Sequence, residues 1–374
     1  MPQPDRPAWI EVNLSAIAKN ISAVRQFVSP TTQVLAIVKA NAYGHGLIPA
    51  SRAAIKGGAS ALGVALLQEG VALRSAGITA PVVVLVPTMP EQADSIVAHN
   101  LSQTIGHPDA IPPLEAAAKR HNTRARIHLK VDTGMGRLGL LSDEVLAVAK
   151  KIVQNPHLFL EGIATHVAWE RAEDMDKARH QIKTFAACLS KLTDISIPWR
   201  HAANSVMTVH MPESHFDLVR VGLLTYGIPP TQGAGALSLS PALSIKARIA
   251  QVRNFSAGQT LSYGGTYTLT RPSRIALAPI GYADGYNRQM SNKSHVLISG
   301  KSCPVVGAIC MDVIMINVTD IPPVAVGEEI VLLGQQGDRK ITVNDLAQWG
   351  NYISHEVVSL LGARLPRHYI FRKI

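Results

Sequence analysis

The stretch Val34-Leu35-Ala36-Ile37-Val38-Lys39 is five apolar residues closed by a lysine. An unbroken apolar run of this length, without polar alternation, is the mark of a strand buried on both faces. Such strands occur in parallel sheets, where helices cover both sides. Seven further runs follow: Leu62–Ala65, Val82–Val86, Leu101–Ile105, Ile127–Val131, Leu158–His166, Trp199–Ala203 and Leu218–Gly222. Between most of them lie amphipathic stretches, among them Ile48–Lys56, Leu66–Ala76, Asp109–Arg120, Ser142–Gln154 and Met175–Lys191. Eight such strands in roughly 200 residues predict an α/β fold, a (β/α)8 TIM barrel. An open doubly wound sheet is the competing arrangement, but the first βα turn lacks the GxGxxG that would favour it.

The pattern changes near Thr231. Gln232–Ala236 is a small-residue stretch that reads as a linker. After it come short β-rich segments: Ala242–Asn254, Arg274–Pro279, His295–Ser299, Val313–Val318 and Glu329–Leu333, punctuated by Gly258, Gly300 and Gly327. They predict a mostly antiparallel β domain of about 135 residues. Trp9–Leu14 alternates like a strand and has no helix before it, so it is expected to join that second domain. The predicted division is a barrel over 12–235 and a β domain made of 1–11 plus 236–374.

Composition narrows the function classes. Of 374 residues, 47% are hydrophobic and 17% charged, which excludes a disordered, collagenous or coiled-coil chain. Three cysteines without a CxxC argue against a disulfide framework or a zinc ribbon and point to a reducing, cytoplasmic setting. The first residues, Met1 to Asp5, do not resemble a signal peptide, and no run of about 18 apolar residues occurs. The net charge of +10 is scattered rather than blocked, and aromatics are only 5%. Neither feature suits a nucleic-acid platform.

In a parallel barrel, chemistry gathers where the strands end. The first run ends in Lys39, and a lysine whose charge is disfavoured by burial is the usual Schiff-base nucleophile. A strand-end lysine that simply reaches solvent is the competing reading. The fifth run leads into Lys130-Val-Asp132-Thr-Gly134-Met-Gly136-Arg137, a glycine-flanked turn offering an arginine fork suited to a carboxylate, with a plain structural glycine-rich loop as the competing reading. The sixth ends in Thr165-His166, the seventh leads into His201-Ala-Ala-Asn204-Ser205, and the eighth contains Arg220-Val-Gly222-Leu223. Ser205 with the N–H groups of Gly222 and Leu223 would make an anion cradle near the last strands, where barrels commonly bind phosphate. A strand-end lysine, a phosphate cradle and a pocket arginine together suggest pyridoxal 5'-phosphate.

At this point the residues match a family. Ala36-Ile-Val-Lys39-Ala-Asn-Ala-Tyr43-Gly-His-Gly46 resembles the cofactor-lysine signature of alanine racemases. Four more blocks agree and follow in the same order. They are His128–Arg137, Ser262–Tyr267, Pro279–Gly285 and Gly307–Asp312. The resemblance implies a pyridoxal-phosphate isomerase with a barrel and a β domain, working as a homodimer whose active sites are completed by the partner's β domain. It implies two-base racemisation of alanine held as an aldimine, supplying D-alanine for peptidoglycan in the cytoplasm. Lys39 would carry the cofactor and act as one base, and Tyr263 of the partner subunit would be the other. Tyr43, Ser205, Gly222 and Leu223 would hold the phosphate, with Asn204 counted beside them. Arg220 would face the pyridine nitrogen, and His166 would link Tyr263 to Arg220. Arg137 and the Met311 N–H would hold the substrate carboxylate. Tyr282 would line the channel, and Lys130 matches a position open to carbamylation.

One position departs from the family pattern. The family places a tyrosine directly before a glutamate, ahead of an Arg-x-Pro-Arg stretch. Arg364-Leu-Pro-Arg367 is present, but Ser354-His355-Glu356 puts His355 at the tyrosine's place. His355 is expected to keep the phosphate contact, with Tyr352 within reach of a one-turn shift. Alanine remains the expected substrate; the smaller His355 side chain is the reason to consider serine or other small amino acids. Outside this family, fourteen histidines keep a metal-dependent barrel hydrolase in view, but the first strand ends in Lys39 rather than a His-x-His pair, so no metal is expected. Cys310 is expected to pack, and His45 to brace the turn after Lys39.

Overall fold

The computed structural model describes residues 6–169, 174–230 and 237–372. The linker expected at Gln232–Ala236, the boundary at 235/236 and the first five residues lie outside them. The chain divides into two compact units. One comprises Met1–Ser15, Tyr43–Gly46 and Pro241–Ile374; the other comprises Ala16–Ala42 and Leu47–Ser240. They are called the β unit and the barrel unit below.

A first strand, β1 (Ala8–Asn13), is followed by the barrel strands: β2 (Gln33–Ile37), β3 (Ala61–Val64), β4 (Val82–Val84), β5 (Ser102–Ile105), β6 (Ala125–Lys130), β7 (Leu158–Ala164), β8 (Trp199–His201) and β9 (Leu218–Val221). They form one sheet in the order β8-β7-β6-β5-β4-β3-β2-β9, and every pairing in it is parallel. Backbone bonds from Arg220 N to Ala203 O (2.9 Å) and from Asp217 N to Arg200 O (3.0 Å) join the sheet's two ends. All eight apolar runs are thus barrel strands, and residues of β3, β4 and β5 are buried throughout.

The five amphipathic stretches are helices, over Leu47–Lys56, Leu67–Ser75, Ile111–Arg120, Val145–Val153 and Met175–Leu189. Their local chemistry is legible. Pro112 and Pro113 sit in the first turn of Ile111–Arg120, where a missing N–H costs nothing. Asn122, just past that helix, takes a left-handed conformation (φ 48°) that turns the chain toward β6.

In the β unit, strands β10 (Leu243–Arg248), β15 (His295–Ile298), β16 (Lys301–Pro304), β18 (Glu329–Gln336) and β20 (Arg367–Ile370) join β1 in the order β16-β15-β18-β10-β1-β20. The N-terminal strand pairs antiparallel with β10 and parallel with β20. A second sheet holds β11 (Gln251–Phe255), β14 (Ser273–Ala278) and β17 (Ile314–Asn317). Ala242–Asn254 is therefore two strands in two different sheets. Leu261, Leu269, Ile275 and Val306 form a buried apolar cluster in this unit. Two helices near the C-terminus, Val343–Gly350 and Ser354–Ser359, were absent from the β-rich sequence expectation. Their signal is present in the sequence. Thr342 Oγ1 accepts from Asp345 N (3.2 Å) and the Asp345 carboxylate accepts from Thr342 N (2.7 Å), a reciprocal cap.

Candidate active site

Lys39 stands just beyond β2, and the chain then does something L-residues avoid. Ala40, Asn41, Ala42 and Tyr43 all lie at positive φ, between 51° and 54°. Left-handed conformation costs roughly 1–2 kcal/mol per such residue, so neighbouring groups must hold this turn. Glu69 provides one anchor. Its carboxylate accepts from Ala40 N (2.5 Å), Ala65 N (2.9 Å) and Leu66 N (3.1 Å), tying the ends of β2 and β3 together. Asn41 Oδ1 accepts from Leu47 N (2.8 Å) and ties the turn to the next helix. His45 Nδ1 lies 2.8 Å from Tyr43 O, which places it as a brace. Burial, then the Arg137 charge, draw the Lys39 ammonium below its ordinary range, with Glu69 opposing.

The turn after β6 is organised by Asp132. Its Oδ1 accepts from Gly134 N (2.9 Å), Met135 N (2.9 Å) and Gly136 N (3.2 Å), and its Oδ2 from Arg137 N (3.2 Å). Gly134 sits at φ 128°, a conformation glycine takes without strain. Arg137 is exposed. Lys130, at the end of β6, is pushed well below the ordinary lysine range by burial first, then by Arg220 and Arg137.

Arg220 on β9 is only 6% exposed. Its Nη2 donates to Thr165 O and Ala202 O (both 2.9 Å) and lies 3.2 Å from His166 Nδ1; its Nη1 lies 3.1 Å from His201 Nδ1. A guanidinium can only donate, so both imidazole Nδ1 atoms must accept, and each ring carries its proton on Nε2. Burial, then the charges of Arg220, Lys130, Arg137 and Lys39, hold His166 well below its usual range, so it is neutral. Burial lowers Arg220 to about 10, still protonated near neutrality. Ser205 Oγ accepts from Gly222 N (3.0 Å), a buried pair beside the expected cradle. Asn204 Oδ1 caps the helix Ser205–His210 by accepting from Met207 N (3.1 Å).

The barrel unit thus gathers Lys39, Lys130, Arg137, His166 and Arg220. Asn204, Ser205, Gly222 and Leu223 lie on the same unit, whereas Tyr43, Tyr263, Tyr282, Met311 and His355 lie on the β unit. Tyr43 is buried, and that burial pushes its phenol up to about 12. Its ring stands 5.7 Å from that of His355. Tyr352, expected to reach the same place by a one-turn shift, is instead beside Glu356 and Tyr286, and Gly350 leaves room for its ring. Tyr263 (71% exposed), Tyr282 and Met311 present their side chains on neighbouring loops. Ser262 Oγ donates to Ala308 O (2.6 Å), and Tyr282 N donates to Cys310 O (3.0 Å), which knits those loops together. Cys310 is partly buried there.

Three residues escaped the sequence reading of the site: Glu69, Glu161 and His128 in its buried role. Glu161 carried a signal, being a carboxylate in the apolar strand Leu158–Ala164.

A parallel barrel with a strand-end lysine of lowered basicity, two further cations and a neutral histidine at one mouth defines an anion-binding α/β-barrel enzyme. Comparison with known proteins narrows the class. The family description "Alanine racemase, N-terminal domain" matches residues 12–230, and "Alanine racemase, C-terminal domain" matches residues 242–369. The chain is 42% identical over 367 residues to an alanine racemase of Symbiobacterium thermophilum, covering 97% of each chain. Among solved structures it is similar to an alanine racemase of Streptomyces lavendulae (TM-score 0.94, 32% identity, 99% of each chain). It is also similar to one of Bacillus anthracis with bound L-Ala-P (TM-score 0.89, 33% identity, 98% of this chain and 95% of that one). The chain belongs to the alanine racemase family and is an isomerase. These relatives lend nothing to the metal-dependent hydrolase reading.

Proposed function

We propose that the protein interconverts L- and D-alanine with pyridoxal 5'-phosphate, supplying D-alanine for peptidoglycan from the cytoplasm. The observation that carries this reading is the set of cations at the barrel mouth. Arg220 is buried among carbonyls and neutral imidazoles, and Lys39 and Lys130 are drawn toward neutrality. Such a donor set fits a ligand bearing a phosphate and a carboxylate.

Lys39 would hold the cofactor; Ser205 with the Gly222 and Leu223 N–H groups, Tyr43 and His355 would hold its phosphate, and Arg220 its ring nitrogen. Bound there, the cofactor draws electrons from the bond between Cα and its hydrogen. The chain's residues do the rest. Arg137 and the Met311 N–H orient the carboxylate. Lys39 Nζ takes or returns the proton on one face of Cα, and Tyr263 of the partner subunit does so at Oη on the other. Two fixed bases need no rotation of the substrate. His166, with Nδ1 accepting from Arg220, turns its Nε2–H outward, where it stabilises a tyrosinate. A carbamate on Lys130 would brace Arg137. Tyr282 lines the approach, and Asn204 serves the cradle by capping its helix.

This assignment divides the labour as expected, with residues 12–235 as the cofactor barrel and 1–11 plus 236–374 completing the partner's site in a homodimer. His355 keeps an aromatic ring against Tyr43, which favours alanine as the substrate. Borohydride reduction followed by peptide mapping tests the centre of the proposal. The expected adduct is on Lys39; an adduct on another lysine, or none, overturns it.

A further inference from the structure

A buried chain of polar groups continues from Arg220 into the barrel interior, away from the residues assigned above. His201 Nε2 lies 2.9 Å from His128 Nδ1, and His128 Nε2 lies 3.3 Å from Glu161 Oε2. Arg220, His201, His128 and Glu161 are 6%, 1%, 0% and 2% exposed. The direction of every bond follows from its ends. Arg220 only donates, so His201 Nδ1 accepts and its Nε2–H donates to His128 Nδ1. His128 Nε2–H then donates to the carboxylate. A guanidinium stands at one end and a carboxylate, ion-paired with Arg126, at the other, with two imidazoles passing hydrogen bonds in one direction between them.

The backbone is shaped for this. Between β6 and β7 the register shifts. Ile127 faces Leu160 but His128 faces Gly162, which leaves Glu161 as the extra residue of a bulge. Bulges in parallel pairs are rare and re-aim side chains. Gly162 is equally specific, since a Cβ there would lie 2.5 Å from His128 Nδ1, the atom that must accept from His201. Glu161 is also held from the other side, by Arg126 Nε (3.0 Å) and Nη2 on Oε1 and by Ser102 Oγ on Oε2.

We propose that Glu161, itself ion-paired with Arg126, anchors Arg220 at a distance through His128 and His201, and that this relay fixes the orientation of the Arg220 guanidinium. The three are positioning residues. Their effect on turnover rests on the reading that Arg220 faces the cofactor's ring nitrogen; their tautomers do not. A frozen relay keeps the arginine aimed and keeps His201 an acceptor, so no proton competes for the guanidinium's place. The lowered pKa of the carboxyl agrees: burial alone would raise it, but the bonds from His128 and Arg126 hold it at about 2.

The test is 15N-histidine NMR on the purified enzyme, with signals assigned through H128Q and H201Q. Both rings should be neutral with the proton on Nε2. Either ring protonated on Nδ1, or on both nitrogens, overturns the relay without any variant needing to fold. Glu161→Gln keeps an acceptor but removes the charge, and should move the His201 signals although His201 does not touch residue 161. It should also lower kcat about tenfold while KM for alanine stays within about twofold. Unmoved His201 signals, or an unchanged kcat, overturn the proposal. Gly162→Ala displaces the His128 ring without altering any charge and should give the same kcat loss; full activity there counts equally against it. Failure of the borohydride adduct on Lys39 would remove the functional reading while leaving the tautomer result to stand alone.

Discussion

Replacing Asp132 separates the positioning of Arg137 from its charge. The carboxylate gathers four backbone N–H groups within five residues, including that of Arg137 itself. Those bonds outweigh burial, which acts the other way, and keep the Asp132 carboxyl below its ordinary range. A hydrogen bond to a charged group is worth about 1.5–3 kcal/mol net when it is lost. Gly134, Gly136 and Arg137 are exposed, however, so water can replace much of what their N–H groups lose. The ordering lost in Asp132→Ala is therefore about 2–3 kcal/mol, or roughly 30- to 150-fold in the weight of the aligned loop. If Arg137 orients the substrate carboxylate, this appears mainly as a raised KM for alanine. Asp132→Asn should be milder. Its one oxygen can keep the three bonds to Gly134, Met135 and Gly136, but its amide nitrogen then opposes the Arg137 N–H. The loss of about one bond predicts roughly a tenfold effect. Initial rates in both directions over a range of alanine concentrations measure it. An Asn variant as impaired as the Ala variant, or either within twofold of wild type, would refute the idea that this carboxylate sets the loop.

Other consequences follow from the same geometry. Ala40 is exposed at φ 52°, so Ala40→Gly removes strain of about 1–2 kcal/mol and adds unfolded-chain entropy of about 0.5–1 kcal/mol. The urea midpoint should rise; a fall would mean the turn is not strained. Glu161 is held at about 2 when folded, so its stabilisation is complete above the unfolded glutamate value and drains away as pH falls toward about 2. Urea unfolding across that acid range should show a steeper loss for wild type than for Glu161→Gln, and equal slopes would contradict the assignment. Lys39, lowered by burial and Arg137, should react with an amine reagent before the exposed lysines do at mildly alkaline pH in cofactor-free protein. Peptide mapping would show it, and labelling no faster than at exposed lysines would argue against a depressed basicity.

The barrel was legible because parallel strands are buried on both faces and therefore announce themselves as apolar runs. The residues that end those runs marked out the candidate site for the same reason: polarity at the end of an apolar strand has few explanations. What the sequence could not show was pairing. Ala242–Asn254 looks continuous, and only the partners of each half assign it to two sheets. The left-handed turn over Ala40–Tyr43 has no local signature, since two of its four residues are alanine, which normally avoids that region. Glu69 and Glu161 act on groups 29 residues away in one case and 33 to 59 in the other. Asp132 lies two to five residues from the N–H groups it gathers, so its turn is local and its glycines are visible in the sequence.

These acids also explain how a chain with a net charge of +10 keeps its barrel mouth positive. Cations alone would not do so, because acidic side chains nearby would pair with them and cancel the field. Here the carboxylates are committed elsewhere. Glu69 faces three backbone N–H groups and Asp132 faces four. Glu161 faces His128, Ser102 and Arg126. Arg220 is left to carbonyls and imidazoles, and burial first, then the neighbouring arginines, lower the affinity of Lys39 and Lys130 for their protons. Amines of lowered basicity beside fixed guanidinium charges would combine a nucleophile with an anion-attracting field. Moving an acid into direct contact with Arg220 would therefore damage both properties at once, even where it strengthened the fold.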